Sequence, residues 1–271
     1  MGKNGKKSGK LRGKERHGIG IDIGGTGIKG GIADLRKGKL ASERVRIATP
    51  KPATPYSVAE VVAAITAELD GLPEAPAPDS PVGVTFPAII RHGVALSAAN
   101  VDKSWIGTDV DALLTGKLGR PVQMINDADA AGVAEVRYGA GKGVGGTVLV
   151  ITLGTGIGSA FIFNGQLVPN AELGHLELDG FDAESRASAT ARERDGLDWD
   201  GYAQRLQRYF SHLEFLFSPE LFIVGGGISK RSEDFLPQLR LKTPIVPAVL
   251  KNNAGIVGAA LQARLTAGKP D

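Results

Sequence analysis

Ile21-Asp22-Ile23-Gly24-Gly25-Thr26-Gly27-Ile28-Lys29, near the start of the 271-residue chain, is matched in the middle by Ile151-Thr152-Leu153-Gly154-Thr155-Gly156-Ile157-Gly158. Both stretches open as an alternating apolar strand, pass through a Gly/Thr turn and resume as a second strand, over 30–35 in one copy and 160–163 in the other. Glycine reaches positive φ and carries no Cβ over the backbone amides, so several N–H groups can converge on one anion while a Thr hydroxyl adds a donor. One such turn could merely reverse the chain. Two, each followed at similar offsets by similar elements, form a pair of phosphate-cradling hairpins suited to a phosphoryl donor.

Outward from these hairpins, strands are predicted at 17–23, 28–35 and 39–47, with short Gly-bearing connections typical of antiparallel pairs. Pro50, Pro52 and Pro55 then break the chain, and Val58, Val61, Val62, Ile65 and Leu69 recur at helical spacing. A Pro-rich loop at 73–81, a strand at 81–86, a helix at 110–118 and a strand at 121–125 complete the first half. The second half repeats the order. Strands fall at 147–153, 159–163 and around Leu167; after an insertion come a helix at 199–217, a strand at 221–224, a helix near 234–239, a strand at 244–250 and a last helix at 254–265. A βββαβαβ order in each half is that of an α/β protein with two similar domains around a cleft.

With 42% apolar residues the chain can bury a full core. No apolar run approaches the roughly 18 residues of a membrane helix, and the basic start lacks the apolar segment of a secretory signal. A cytoplasmic protein without membrane contact is expected. The absence of cysteine excludes disulfides, thiolate nucleophiles and cysteine-ligated zinc. The net charge of +3 hides a polarity: residues 1–16 carry Lys3, Lys6, Lys7, Lys10, Arg12, Lys14 and Arg16 against Glu15, and the remainder is slightly acidic. This segment is expected to be a disordered, solvated arm with no nucleic-acid partner.

Gly25-Thr26-Gly27-Ile28-Lys29-Gly30 matches the spacing of a dinucleotide fingerprint, with Glu43 near the acidic offset. That motif must open a helix, whereas here 28–35 continues as a strand, so a dinucleotide fold is rejected; no P-loop is present either. Asp22 ends a buried strand just before the turn, where it can hold Mg²⁺ through water; capping the turn amides is its simpler use. In Asn126-Asp127-Ala128 an ordinary N-cap would account for Asp127. A carboxylate at the C-terminal end of a strand also points into the ligand crevice of an open α/β fold, where it can orient a hydroxyl and take its proton. Glu172-Leu173-Gly174-His175, with Glu184 further on, offers two carboxylates and an imidazole for the vicinal hydroxyls of a sugar; a helix-start carboxylate and a backbone-satisfied histidine is the plainer alternative. Gly225, Gly226 and Gly227 join a buried strand to a helix and permit either close approach to a flat or anionic ligand or tight packing.

Asp22 to Thr26, Asn126-Asp127, 153–158, Glu172 to His175 and Gly225 to Gly227, in that order, resemble the ROK family of sugar kinases, within the larger hexokinase, actin and Hsp70-like fold. The resemblance implies two RNase H-like (actin/hexokinase-type) domains, a small one at 17–125 joined by the last helix at about 254–266 and a large one at 126–253, behind the 1–16 tail. It implies donor phosphates on Asp22, Gly24, Gly25, Thr26, Gly27 and Lys29 and on Gly154, Thr155 and Gly156, with a nucleotide near Gly225, Gly226 and Gly227. By the same resemblance Asp127 is the base, and Asn100, Asn126, Asp127, Glu172, His175 and Glu184 hold the hexose.

Many members follow Glu-x-Gly-His with a Cys-x-Cys-Gly-x-x-Gly-Cys zinc motif; 176–189 contains no cysteine, so structural zinc is not expected and the place of Glu184 becomes less fixed. The segment Gly180 to Ser188 is similar to the cysteine-free polyphosphate glucokinases of the family. The activity implied is Mg²⁺-supported transfer of a terminal phosphoryl group from inorganic polyphosphate or ATP to the 6-hydroxyl of glucose, or of mannose, by a homodimer. An ATP-only glucokinase, an amino-sugar kinase and a sugar-sensing binding protein are the alternatives. A repressor of the family would add a helix-turn-helix, for which 16 residues are too few. Lys29, Lys103, Arg186 and Arg192 are candidates to follow a phosphate chain, or else belong to solvated faces.

Overall fold

Two mixed sheets of one topology organise the protein in the computed structural model, which describes residues 16–98 and 102–267. In the first, β1 (His17–Ile23) and β2 (Ile28–Asp34) form the hairpin around the Asp22 turn, and β3 (Lys39–Leu40) and β4 (Val45–Ile47) both pair with β2. After α1 (Pro55–Asp70) comes β5 (Val82–Phe86), then a small hairpin of β6 (Ile90–Arg91) and β7 (Val94–Ala95), α2 (Val110–Leu118) and β8 (Val122–Asn126). The order is β3-β2-β1-β5-β8, with β1, β5 and β8 parallel.

The second sheet follows α3 (Asp127–Tyr138). Strands β9 (Thr147–Leu153), β10 (Ile157–Phe163) and β11 (Gln166–Val168) run antiparallel. The insertion holds the ribbon β12 (Glu177–Leu178) and β13 (Phe181–Asp182), then α4 (Glu184–Ala187) and α5 (Ala189–Arg194). Next come α6 (Trp199–Phe217), β14 (Leu221–Gly225), α7 (Ser232–Phe235), β15 (Ile245–Pro247) and α8 (Ala254–Thr266). The order β11-β10-β9-β14-β15, with β9, β14 and β15 parallel, repeats that of the first sheet strand for strand. The expected α/β architecture is therefore present.

Three expected elements differ. The single strand at 39–47 is two, because the Ser42 hydroxyl accepts the Ile32 N–H at 3.0 Å in place of a strand carbonyl. The helix near 234–239 is the one-turn α7 followed by a 3₁₀ turn at 236–238, since Pro237 has no N–H to continue the ladder. The strand at 244–250 shrinks to β15, bracketed by Pro244 and Pro247. Arg16, assigned to the basic arm, is instead tied to the body: its Nε donates to Asp34 Oδ2 at 3.0 Å and a terminal nitrogen donates at 2.5 Å. Residues 1–15 of that arm lie outside the described residues.

The two faces of the first sheet are filled in different ways. Ile19, Ile21 and Ile23 pack with Val62, Ile65 and Phe86, each fully buried aliphatic side chain contributing about 1.5–3 kcal/mol. On the opposite face glycines admit α8 to the sheet itself: a Cβ at Gly20 would lie 1.9 Å from the Ile256 carbonyl oxygen, and one at Gly83 would lie 1.9 Å from that of Ala259. Helix α8 crosses α3 just as closely, at Gly258 against Ala130, and α3 rests on β9 and β10. This helix pair joins the two sheets. On the far side of the second sheet, Leu206, Phe210 and Leu213 of α6 cover Leu149, Ile151 and Phe222. Among the described residues no helix is long and apolar enough to cross a membrane.

Candidate active site

Both glycine turns stand at the ends of their parental strands as closed hairpins: Gly24 N–H donates to the Gly27 carbonyl at 3.2 Å and Gly154 N–H to that of Gly156 at 2.9 Å. Gly25, Thr26 and Thr155 are exposed at the tips. Thr49 Oγ1 fixes the first turn by donating to the Gly24 carbonyl at 2.5 Å, and Thr190 N–H fixes the second by donating to the Gly154 carbonyl at 3.2 Å. Asp22 accepts a hydrogen bond from Thr85 Oγ1 at 2.7 Å, which aims Oδ1 at β5 and leaves Oδ2 3.9 Å from Lys29 Nζ. Gly255, in the first turn of α8, stands beside the same carboxylate.

Asn126 and Asp127 divide the work at the start of α3. Asn126 is the cap: Oδ1 accepts from Ala128 N at 2.8 Å and Asp129 N at 3.2 Å, and Nδ2 donates to the Ala88 carbonyl at 3.1 Å. One Nδ2 hydrogen remains for a ligand. Asp127 is thereby released from capping, keeps one bond from Ala128 N at 2.9 Å, and is open to the cleft. Although solvent reaches it, surrounding protein desolvates its carboxyl and pushes its pKa up; Asp22 and Glu172 add to the rise through their negative charge. Asp22 and Glu172 are thus within electrostatic reach of Asp127.

The Glu172 segment is held from below. Ser159 of β10 donates its hydroxyl hydrogen to the Ala171 carbonyl and accepts the Leu173 N–H at 2.8 Å, so both neighbours of Glu172 are anchored to one side chain. Tyr209 supports the Leu173 carbonyl from α6 at 3.2 Å. His175 Nδ1 lies 2.8 Å from Asp182 Oδ2; that bond, with the charges of Asp182, Glu184 and Glu172, raises the imidazole pKa and leaves Nε2 on the other edge. Glu184 Oε2 accepts the Ile157 N–H at 2.7 Å, just past the second glycine turn. Glu184 therefore joins the phosphate turn to the His175 side of the site.

Other candidates fall elsewhere. Gly226 is needed by packing, since a Cβ there would meet the Leu153 carbonyl oxygen at 2.2 Å, whereas Gly227 faces open space. The Arg186 guanidinium stacks on Phe181, 3.4 Å from the ring centroid, and that of Arg192 stacks on Trp199 at 3.8 Å. Lys103 is exposed in a 3₁₀ turn, and Asn100 lies outside the described residues.

Sequence reasoning missed Arg46, whose guanidinium covers Gly27, and Asp129, two residues beyond Asp127. Asp129 is fully buried; Oδ2 accepts the Asn170 N–H at 2.8 Å, Oδ1 has no partner, and burial together with Glu172 and Asp127 pushes its pKa to about 7. The second acidic residue in Asn126-Asp127-Ala128-Asp129, one helical turn from the strand end, was the available signal. Among the described residues no three His, Asp or Glu side chains gather to hold a metal ion. The Asp22 carboxylate, beside the first glycine turn, fits by its chemistry an ion held chiefly by water and substrate oxygens.

Residues 18–194 match the model described as ROK family. The chain belongs to the ROK family. Over 248 residues, 91% of each chain, this ROK protein is 49% identical to the polyphosphate glucokinase of Mycobacterium tuberculosis. The structure of an inorganic polyphosphate/ATP-glucomannokinase from Arthrobacter sp. strain KM is 76% identical, with a TM-score of 0.87 over 92% of this chain and 99% of that one. A ROK family glucokinase from Streptomyces griseus, solved with glucose and AMPPNP, is 26% identical with a TM-score of 0.77 over 92% of this chain and 99% of its own. The two-domain actin/hexokinase-like fold expected for the ROK chain is thus present.

Proposed function

We infer that the protein is a glucokinase that moves the terminal phosphoryl group of inorganic polyphosphate, or of ATP, to the 6-hydroxyl of glucose. The observation that carries this reading is Asp127, open to the cleft at a strand end and within electrostatic reach of Asp22 and Glu172, in a chain with two matching glycine turns and so similar to polyphosphate-using kinases. Glu172, His175 Nε2 and the remaining Asn126 hydrogen orient the sugar, and mannose is a second acceptor.

Asp127 takes the proton of the attacking hydroxyl. Phosphoryl transfer passes through a loose transition state, so alignment and charge neutralisation carry most of the acceleration. The turn amides, Lys29 and Arg46 supply donors and positive charge around the donor phosphates. Mg²⁺, held by Asp22 through water, would add Lewis-acid neutralisation of the donor oxygens. Closing the two domains excludes water, which otherwise competes as acceptor. The same reading takes the working form to be a homodimer.

Glucose phosphorylation measured in parallel with polyphosphate and with ATP tests this. Turnover with polyphosphate is expected. Activity with ATP alone would make the protein an ATP-only glucokinase, and inactivity with both donors would point to an amino sugar or to a binding role.

A further inference from the structure

Beyond the second glycine turn lies a cavity of about 130 Å³, on the Gly225 to Gly227 side of the donor site, bounded by Thr152, Gly226, Gly227, Ser229, Lys230 and Lys251. It continues directly from the donor turn, because Gly226 packs on Leu153, the residue before Gly154. Lys230 and Lys251 approach it from separate segments, the 3₁₀ turn after β14 and the loop before α8. Neither ammonium group has an ion-pair or hydrogen-bond partner among the described residues. A carboxylate also stands in the wall, ion-paired with neither lysine: Glu135 is buried, with Oε1 accepting Leu250 N–H at 2.7 Å and Oε2 accepting Ala140 N–H at 2.9 Å. Its bond to Leu250 also fixes the loop that presents Lys251, whose φ of 50° is a left-handed conformation that a non-glycine residue holds at a cost.

The chemistry of this space is that of an anion. The cavity is smaller than the roughly 300–1,000 Å³ of pockets that enclose drug-sized ligands, and no aromatic ring lines it to stack a base. Two cations without ion-pair partners and a glycine backbone suit phosphate oxygens better than a nucleoside.

We propose that Lys230 and Lys251 form a subsite for phosphate residues upstream of the one transferred, so that this end of the donor site selects an inorganic phosphate chain over a nucleotide. The proposal rests on the polyphosphate reading above. It is tested by initial rates with ATP, inorganic triphosphate and long-chain polyphosphate, at two salt concentrations. The proteins compared are the wild type, Lys230→Ala, Lys251→Ala, the double variant and the double Lys→Arg variant.

In the double alanine variant the ratio of KM for long-chain polyphosphate to KM for ATP is expected to rise roughly tenfold, as when two charge-assisted contacts are lost. The salt dependence of the long-chain KM should flatten, and arginine should restore most of both. An equal rise for ATP and polyphosphate, or no rise, overturns the proposal. A wild type that does not turn over polyphosphate fails the underlying reading instead, and the two failures are distinct. Both lysines are exposed, so their replacement leaves the core intact.

Discussion

The Asn170 side chain satisfies both backbone polar groups of Ile90: Ile90 N–H donates to Oδ1 at 2.9 Å, and Nδ2 donates to the Ile90 carbonyl at 2.8 Å. Ile90 follows β5 of the first sheet, and Asn170 follows β11 of the second, two residues before Glu172. This clasp sets the Glu172 segment against the opposite lobe. Asn170 also holds a left-handed φ of 59°, which asparagine tolerates better than most residues. Asn170→Ala should therefore raise KM for glucose and lower kcat about tenfold or more by misplacing Glu172. Steady-state kinetics with glucose varied checks this; unchanged constants would reduce the clasp to a loop contact.

Asp127→Asn should lower kcat by roughly 10²–10⁴ while changing sugar affinity little, the range expected when a general base is removed. Because the Asp127 pKa is raised and the base works ionised, the acid limb of kcat/KM in the wild type should fall at a pH above the ordinary carboxylate value of about 4. A pH–rate profile on both proteins reads the two effects together.

Asp129 gives a stability prediction of definite sign. Its folded pKa, about 7, exceeds the unfolded value, so the folded state gains from its protonation below about pH 4 and loses that gain as pH rises through 7. Asp129→Asn keeps an acceptor for Asn170 N–H and removes the charge. Relative to the wild type it should gain stability between pH 5 and pH 8, by an amount on the order of 1–3 kcal/mol for relief of an unsatisfied buried group. Chemical denaturation at the two pH values measures it, and a pH-independent difference would sink the idea.

Truncation should behave discontinuously at Arg16. Removing residues 1–15 keeps the Arg16–Asp34 pair, whereas removing residue 16 as well leaves Asp34 buried without its guanidinium. That pair holds the Asp34 carboxyl at about 2, so its stabilisation is present above pH 4 and is lost as pH falls towards 2. The longer truncation should melt lower at pH 7, with the difference shrinking as pH falls towards 2. Melting curves of the two truncations decide it.

Glu184→Ala should raise KM for glucose and for the phosphoryl donor together, because the carboxylate bonds Ile157 N–H beside the donor turn while its charge acts on His175. A rise confined to one substrate would place Glu184 in that subsite alone.

The two glycine hairpins were legible because alternation and turn chemistry are local, and they led to both sheets and to the order of the elements around them. The Asp127 position was legible as a strand end. That the neighbouring Asn126 would take the capping role was not, since choosing between adjacent polar residues depends on backbone angles at the turn. Ser42 splitting a strand and Asn170 reaching Ile90 across 80 residues of sequence escaped for a related reason. A side chain substituting for a backbone partner leaves no periodic trace. Arg46, Lys230 and Lys251 are ordinary cations in sequence, and only the folding of β4, of the 3₁₀ turn after β14 and of the loop before α8 brings them towards the glycine turns.

The glycines that seat α8 have a consequence for biosynthesis. Strands β1 and β5 leave the ribosome long before the helix that fills the grooves at Gly20 and Gly83. At about 5–20 residues added per second, the nascent first lobe waits seconds to tens of seconds with an unfilled apolar face. A premature stop anywhere before residue 254 would strand both lobes, since the same helix also braces α3; the half of the enzyme made first is completed only once the second half has been translated.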